Sequence, residues 1–487
     1  MPKAEMKKTN PPYEIAAFLG GLGYPDTICN DENVSFFRAL GHYVACKNWK
    51  ELTSDVALYG WFMKPPESSM SSVGLNRLAL AMYHAREDLQ SAFRLPMDKA
   101  AFQHWMRDGF FREKPPSGQW AFRVVPDERS VNLIGFHRRE NGLANVSRSV
   151  NAALRDVLAV NIVDLDLGRE DTATKAAPIY SGLSICCLPP SEIAKAVVIL
   201  GNAFLSARRN ICYLAWETEK ISPCYEQLLG AFDEIWCYSG FVQQAVLDLL
   251  PEMTVRVVPL FVEPPTAVTR SREDFGLSRN DYVLGFHYDH KSSVHRKNPV
   301  GLVKAFRRAF PSSGRYRRMV LYIKIHNVER ESPALGDLYQ AAAGDERIRI
   351  VAEFWDRAKV YDWLSNLDLY VSLHRSEGFG YGMAEAMIRG VPTVATNYSG
   401  NLQFMNRENS LLVDYELVPI GPGEYSTGDD QVWANPCLDD AAEHLGSVVL
   451  DPDLGRRLAS SGIETVSTSL SFERFRADIL LNLGVAA

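Results

Sequence analysis

Little in this chain points to an oxidising compartment, a membrane or a nucleic acid. Its eight cysteines (Cys29, Cys46, Cys186, Cys187, Cys212, Cys224, Cys237 and Cys437) include no Cys-x2-Cys pair. In a chain of 487 residues they read as reduced, mostly buried thiols, so a cytoplasmic setting is expected. The first ten residues, Met-Pro-Lys-Ala-Glu-Met-Lys-Lys-Thr-Asn, have no apolar stretch of the signal-peptide kind. The longest apolar run, Ala194 to Leu205, is broken by Gly201 and Asn202 and is too short to cross a bilayer. Basic residues are not in excess: the net charge is −7, which argues against nucleic acid as the main partner. A P-loop and a Ser-His-Asp set are also missing. What is present is ordinary globular material, 46% apolar and 23% charged, in a chain too long for one core.

The pattern along the chain divides it into three. Residues 1–130 read as mainly helical, with Leu75, Leu78, Ala79, Met82 and Tyr83, then Phe102, Trp105 and Met106, at helical spacing. Pro65-Pro66 and Pro115-Pro116 separate the segments, and no catalytic constellation is visible. Residues 131–265 change character. A buried-type strand, Val131 to Phe136, leads through Gly142 into a helical run ending at Leu154. Strands at Ala159–Val163, Asn210–Ala215, Glu234–Cys237 and Val255–Pro259 follow, with Ser239 placed to cap the helix of Val242, Ala245, Val246 and Leu249. Glu263-Pro264-Pro265 reads as a linker. Residues 266–487 then repeat the alternation, with strands at Val283–Phe286, Met319–Ile325, Arg347–Val351, Leu369–Leu373 and Val391–Ala395. Such alternation predicts an α/β architecture of two Rossmann-like domains, each a parallel sheet with helices on both faces, meeting at a cleft.

The most informative stretch runs from Tyr370 to Asn397. A short apolar strand is followed by Ser376-Glu-Gly-Phe-Gly-Tyr-Gly-Met-Ala-Glu385, a short helix, and a second strand. Gly390 can take the left-handed position that ends a helix, and Pro392 stops its continuation. Glu377 is thereby placed on the strand-to-helix loop and Glu385 about one turn into the helix. Their eight-residue separation is roughly 12 Å at most if wholly helical, and the loop draws them closer. Two acceptor-only groups at the carboxyl end of a strand suit a ligand rich in hydroxyls.

This segment resembles the Glu-x7-Glu signature of retaining glycosyltransferases of the GT-B fold, in particular glycosyltransferase family 4. The resemblance extends from about Val131 to the C-terminus and is tightest over 368–401 and around 296–310. It implies a metal-independent, retaining enzyme that moves a hexosyl group from a nucleotide diphosphate sugar to a hydroxyl of a saccharide or lipid-linked glycan. The nucleotide sugar is a co-substrate, and no cofactor is implied. On this resemblance Glu377 approaches the donor sugar and Glu385 the ribose, while the backbone of Gly378, Phe379 and Gly380 lies against sugar and phosphates. The family's usual arginine after the first strand of the second domain is replaced by Phe286. Lys297 matches the family lysine, and Arg296 and Lys324 are candidates for the remaining diphosphate contact. Gly142 marks the loop that faces donor phosphate or acceptor, although the usual second glycine and acidic residue are here Ala144 and Asn145. Glu217, in Trp216-Glu-Thr-Glu219, is a candidate to orient an acceptor hydroxyl, and His137 ends the first strand at the cleft mouth as a further catalytic candidate. A last helix is a candidate to cross back to the first domain, and both peripheral membrane contact and homo-oligomerisation are compatible with the sequence.

Two metal-like motifs and two rival functions stand beside this reading. Asp164-Leu-Asp166 mimics a metal-binding Asp-x-Asp but stands in the other domain, and His287, His290 and His295 lack the spacing of a zinc site. Epimerases and glycoside phosphorylases share the GT-B fold, and so would a silent scaffold that binds glycan or protein.

Overall fold

The computed structural model describes residues 130–139, 142–165, 182–193 and 209–485, apart from 313, 329–331 and 426–430, together with a helix at Arg77–Ala85 and a few isolated positions. That helix buries Arg77, Leu80 and Ala81. Phe102, Trp105 and Met106 of the expected helical extension lie outside the described residues.

The first domain is a parallel sheet in the order β2-β1-β3-β4-β5-β6. Its strands are β1 (Ser130–Gly135), β2 (Ala159–Asp164), β3 (Leu183–Cys186), β4 (Arg209–Leu214), β5 (Glu234–Cys237) and β6 (Val255–Val257). All of β1 and β5 is buried, which is why both read as continuous runs rather than alternating ones. Strand β3 had no counterpart in the sequence reading, because four residues are too few to carry a period. Pairing β1 with both β2 and β3 makes the order reverse there. Ser239 caps the helix Gly240–Leu249 as expected from its sequence position, its hydroxyl accepting from the Val242 amide.

The second domain repeats the plan in the order β12-β11-β10-β7-β8-β9. Here the strands are β7 (Tyr282–Asp289), β8 (Met319–His326), β9 (Ile348–Ala352), β10 (Leu369–Ser372), β11 (Thr393–Thr396) and β12 (Leu411–Val413). Each neighbouring pair is parallel. The chain runs outward from β7 through β8 to β9, then returns to place β10 on the other side of β7. The crevice at the carboxyl ends of β7 and β10 is therefore a topological switch point, where open α/β sheets bind ligands. An antiparallel hairpin, β13 (Tyr415–Pro419) with β14 (Val432–Pro436), is added after β12. The final helix, Phe472–Leu483, packs on the first domain: Arg209 donates to the Asn482 carbonyl at 2.8 Å, and Arg476 to that of Ala153 at 3.3 Å.

The core of the second domain is closed by large side chains such as Trp363 and Tyr370, both almost wholly buried. Phe286 belongs to this core: it is 2% exposed and stacks on Tyr288 at a centroid distance of 5.5 Å. Its apolar ring thus explains why no cation stands there, and the cation at the crevice comes from the next element.

Candidate functional site

After β7 the chain makes one short turn of helix, Val294–Lys297, and then Asn298 starts the helix Pro299–Ala309. Asn298 is in the left-handed region (φ 51), a conformation asparagine tolerates, and its side-chain oxygen caps the Gly301 amide at 3.1 Å. Its side-chain amide donates to the Leu373 carbonyl at 2.9 Å, which ties this turn to the end of β10. The backbone amide of Arg375 also donates to the Arg296 carbonyl at 2.8 Å. Two segments far apart in sequence are held side by side at the switch point, one carrying Arg296 and Lys297, the other Glu377.

The Glu377 carboxylate is bound by both cations. Lys297 Nζ donates to Oε1, and Arg296 Nη1 lies 3.1 Å from Oε2. The glutamate amide donates to Ser399 Oγ at 2.8 Å, and Ser399 itself has a positive φ of 79. Glu377 is buried, and burial alone would raise its pKa. Lys297, Arg296 and His374 more than offset this and hold the carboxyl down to about 2. The Lys297 ammonium is pulled below its ordinary value by burial and by Arg296, against the attraction of Glu377. Arg296 is fully buried, and the carboxylates of Glu217 and Glu377 keep it firmly charged in spite of that burial. It also donates to the carbonyls of Ser376 and Ser292, at 2.7 and 3.0 Å.

Glu385 lies on the helix Tyr381–Ile388, whose N-cap Gly380 takes φ 96. An L side chain at Gly380 would be strained there, and Gly390 at the other end takes φ 73 as its sequence position predicts. The Glu385 carboxylate accepts from the Tyr361 hydroxyl at 3.2 Å and faces Arg357 at 3.5 Å and His287 at 3.8 Å. Burial raises its pKa, with Arg357 and Arg389 opposing. His287 is pressed down to about 3 by burial and by the positive charges of His326, Lys297, Lys324 and Arg389. It is therefore a neutral ring at physiological pH, 3.2 Å from the Tyr370 hydroxyl. Gly382 makes room for this pair, since a Cβ there would meet Tyr370 at 2.6 Å and His287 at 2.9 Å.

The first domain reaches the same place. Glu217, on the segment after β4, is 2.8 Å from Arg296 and accepts from the Tyr425 hydroxyl at 2.7 Å. Ser376 Oγ donates to the Glu217 carbonyl, and Ser239 Oγ to the Gly378 carbonyl at 2.7 Å. A Cβ on Gly378 would sit 2.1 Å from the Trp216 carbonyl oxygen. The open side of that glycine, expected to face sugar and phosphate, is thus filled by the backbone of the other domain. Phe379 is buried as well, its ring 5.2 Å from that of Phe404.

Other expected site residues make their hydrogen bonds outside this cluster. Lys324 is buried in β8, and its ammonium donates to the carbonyls of Ile325 and Glu353 at 2.8 and 2.6 Å. Those two bonds hold it against Trp355, 4.9 Å from the ring, so the placement of its charge at the cleft is corrected. Burial lowers its pKa to about 8. His137 Nε2 lies 3.3 Å from the Leu133 carbonyl, and the other groups it meets, Asp164 and Arg148, belong to its own domain. Gly142 is the exposed first residue of its helix, with open space where a Cβ would be. Asp164 lies 3.3 Å from Arg138, and Asp166 lies outside the described residues. A cavity of about 550 Å³ is lined by Asn298 together with His295, Lys304, Asp337 and Arg375 among others.

Sequence reasoning missed four groups that shape the site. Tyr361 and Arg357 hold Glu385, Tyr425 holds Glu217, and His374 underlies Glu377, its Nε2 3.1 Å from Asn401 Oδ1. His374 could have been suspected from its place three residues before Glu377. Tyr425 carries no sequence signal, since a hairpin brings it in from elsewhere.

Residues 315–419, which include both glutamates, match the family model described as glycosyl transferases group 1. A curated relative, Protein CapJ of Staphylococcus aureus, is 38% identical over 56 residues, 12% of this chain and 14% of that protein. The match therefore spans about one-seventh of the relative's length. Among solved structures, Anabaena Alr3699/HepE in complex with UDP and glucose superposes with a TM-score of 0.54 at 14% identity, over 73% of this chain and 99% of that one. Sucrose-phosphate synthase from Thermosynechococcus elongatus gives a TM-score of 0.53 at 15% identity, over 73% and 98%. The chain has the two-domain α/β GT-B fold, and its second domain carries a segment of the glycosyl transferases group 1 kind.

Proposed function

We propose that this protein is a retaining glycosyltransferase that transfers a hexosyl group from a nucleotide diphosphate sugar to a hydroxyl of a saccharide or lipid-linked glycan. The observation that carries the reading is the buried Glu377 carboxylate, paired with Arg296 and Lys297 at the switch point and lying within the group 1 segment. In the reaction the bond from the anomeric carbon to the diphosphate oxygen breaks, and a bond to the acceptor oxygen forms on the same face. The acceptor's proton passes to the departing diphosphate. Lys297 and Arg296 supply the charge that this leaving group needs, so the reading requires no metal. Glu377 takes the sugar hydroxyls and Glu385 the ribose, with His287, Tyr361 and Arg357 setting the orientation of Glu385. The first domain, with Glu217 at the boundary, receives the acceptor.

The neighbour from Anabaena is described bound to UDP and glucose, which supports the substrate class. Retention is supported by the Glu-x7-Glu resemblance. The test is a panel of nucleotide sugars, scored by thermal stabilisation and by release of nucleoside diphosphate. A donor that stabilises the protein and yields nucleoside diphosphate supports the reading; release of sugar phosphate instead would make it a phosphorylase. Loss of turnover in Glu377→Ala ties the activity to this site, and a wild-type rate in that variant refutes the assignment.

A further inference from the structure

Arg296 is shared between two carboxylates from different domains. Glu377 approaches Nη1 at 3.1 Å and Glu217 approaches Nη2 at 2.8 Å. Two cations, Arg296 and Lys297, thus meet two anions, Glu217 and Glu377, and the cluster has no net charge. A diphosphate entering this neutral cluster gains little until one carboxylate leaves. The two carboxylates are not equally free to do so. The Glu377 side chain is 9% exposed and held by both cations, whereas that of Glu217 is 31% exposed and sits on an irregular segment after β4. Glu217 can swing towards water at lower cost, because one side of it is already solvated. Arg296 Nε, fully buried, has no hydrogen-bond partner among the described residues, so the guanidinium has a donor to spare for an incoming oxygen.

We infer that Glu217 is an interdomain latch, a carboxylate that occupies Arg296 in place of the donor diphosphate and must be displaced when the nucleotide sugar binds. The inference rests on the reading of this cluster as a nucleotide-sugar site and adds a regulatory element to it. Tyr425 steadies the latch by donating to the second Glu217 oxygen at 2.7 Å. Ser376, beside Glu377, donates to the Glu217 carbonyl. That bond goes to the backbone and stays, but release of the Glu217 side chain gives up its two side-chain contacts across the domains, to Arg296 and to Tyr425, as well as freeing the cation. Binding of the diphosphate and opening of this contact become one coupled event.

The experiment compares wild type, Glu217→Gln and Tyr425→Phe by calorimetric binding of UDP, GDP, ADP, CDP and dTDP, with the matching nucleosides as controls. Small-angle scattering of each nucleotide-free protein reports domain separation. Glu217→Gln keeps the shape and removes the competing charge. It should bind the preferred nucleoside diphosphate more tightly, on the order of 10-fold or more, with nucleoside affinity unchanged and a larger radius of gyration. Tyr425→Phe, which leaves every charge in place, should show the same changes to a smaller extent. It keeps the test open if Glu217→Gln fails to fold. Unchanged or weaker diphosphate binding in folded variants, with unchanged scattering, overturns the latch and leaves the nucleotide-sugar reading standing. If neither wild type nor any variant binds a member of the panel, both fall.

Discussion

The Ser239 hydroxyl donates to the Gly378 carbonyl at 2.7 Å, so the cap of a helix in one domain is bonded to the loop that carries Glu377 in the other. Beside it, the Trp216 carbonyl lies where a Cβ of residue 378 would be, 2.1 Å away. Both partners in that contact are backbone and neither can rotate aside. Gly378→Ala should therefore push the domains apart, with an overpacking penalty of about 1–3 kcal/mol. The result is expected as a larger radius of gyration and a fall in turnover, and a variant unchanged in both would show that the contact is dispensable.

Glu377→Gln should reduce turnover on the order of 10²–10³-fold. It should also lower stability, because the buried Arg296 and half-buried Lys297 would remain with one carboxylate removed. Steady-state rates and chemical denaturation of the same preparations check the two effects separately.

Glu385→Gln is expected to act on donor binding more than on the chemical step. Its carboxylate is charge-paired with Arg357 and bonded by Tyr361. Loss of a hydrogen bond to a charged acceptor weakens nucleotide affinity roughly 10- to 100-fold. The donor KM should rise with kcat little changed; a loss confined to kcat would mean that Glu385 belongs to the reacting centre.

Acid should destabilise the protein in two windows. His287 has a folded pKa of about 3 against an ordinary 6.5, so the folded state resists the proton that the unfolded chain accepts. Stability from its neutral form is complete above 6.5 and declines as pH falls towards about 3. Glu377 is likewise depressed, from 4.5 to about 2, and its contribution is present above 4.5 and lost as pH falls through about 2. Denaturation curves at intervals between pH 7 and 3 should fall less steeply for His287→Gln than for wild type. Parallel curves would remove His287 as the cause.

The sheets and the Glu377 loop were largely legible in the chain, and the reasons are local. Strands such as Glu234–Cys237 and Leu369–Ser372 are buried on both faces and read as short apolar runs. The helix after Gly380 begins and ends at glycines with positive φ, which few other residues adopt. Lys324 misled because its position at a strand end looks the same in sequence whether the ammonium reaches a cleft or two nearby carbonyls, one in its own strand and one just past the end of β9. Strand β3 escaped because four residues carry too little periodicity.

By itself the sequence determined the fold class, the two-sheet division and the residue types at the switch point, since these follow from burial patterns and turn chemistry within short stretches. Only the tertiary structure decided which charges meet. The pairings of Arg296 with Glu217 and Glu377, and of Tyr425 with Glu217, join residues 79 or more positions apart, and those made by Glu217 also join the two domains. A pairing over that distance leaves no local pattern. It exists because β7 and β10 lie side by side and because the loop after β4 is pressed against the loop after β10.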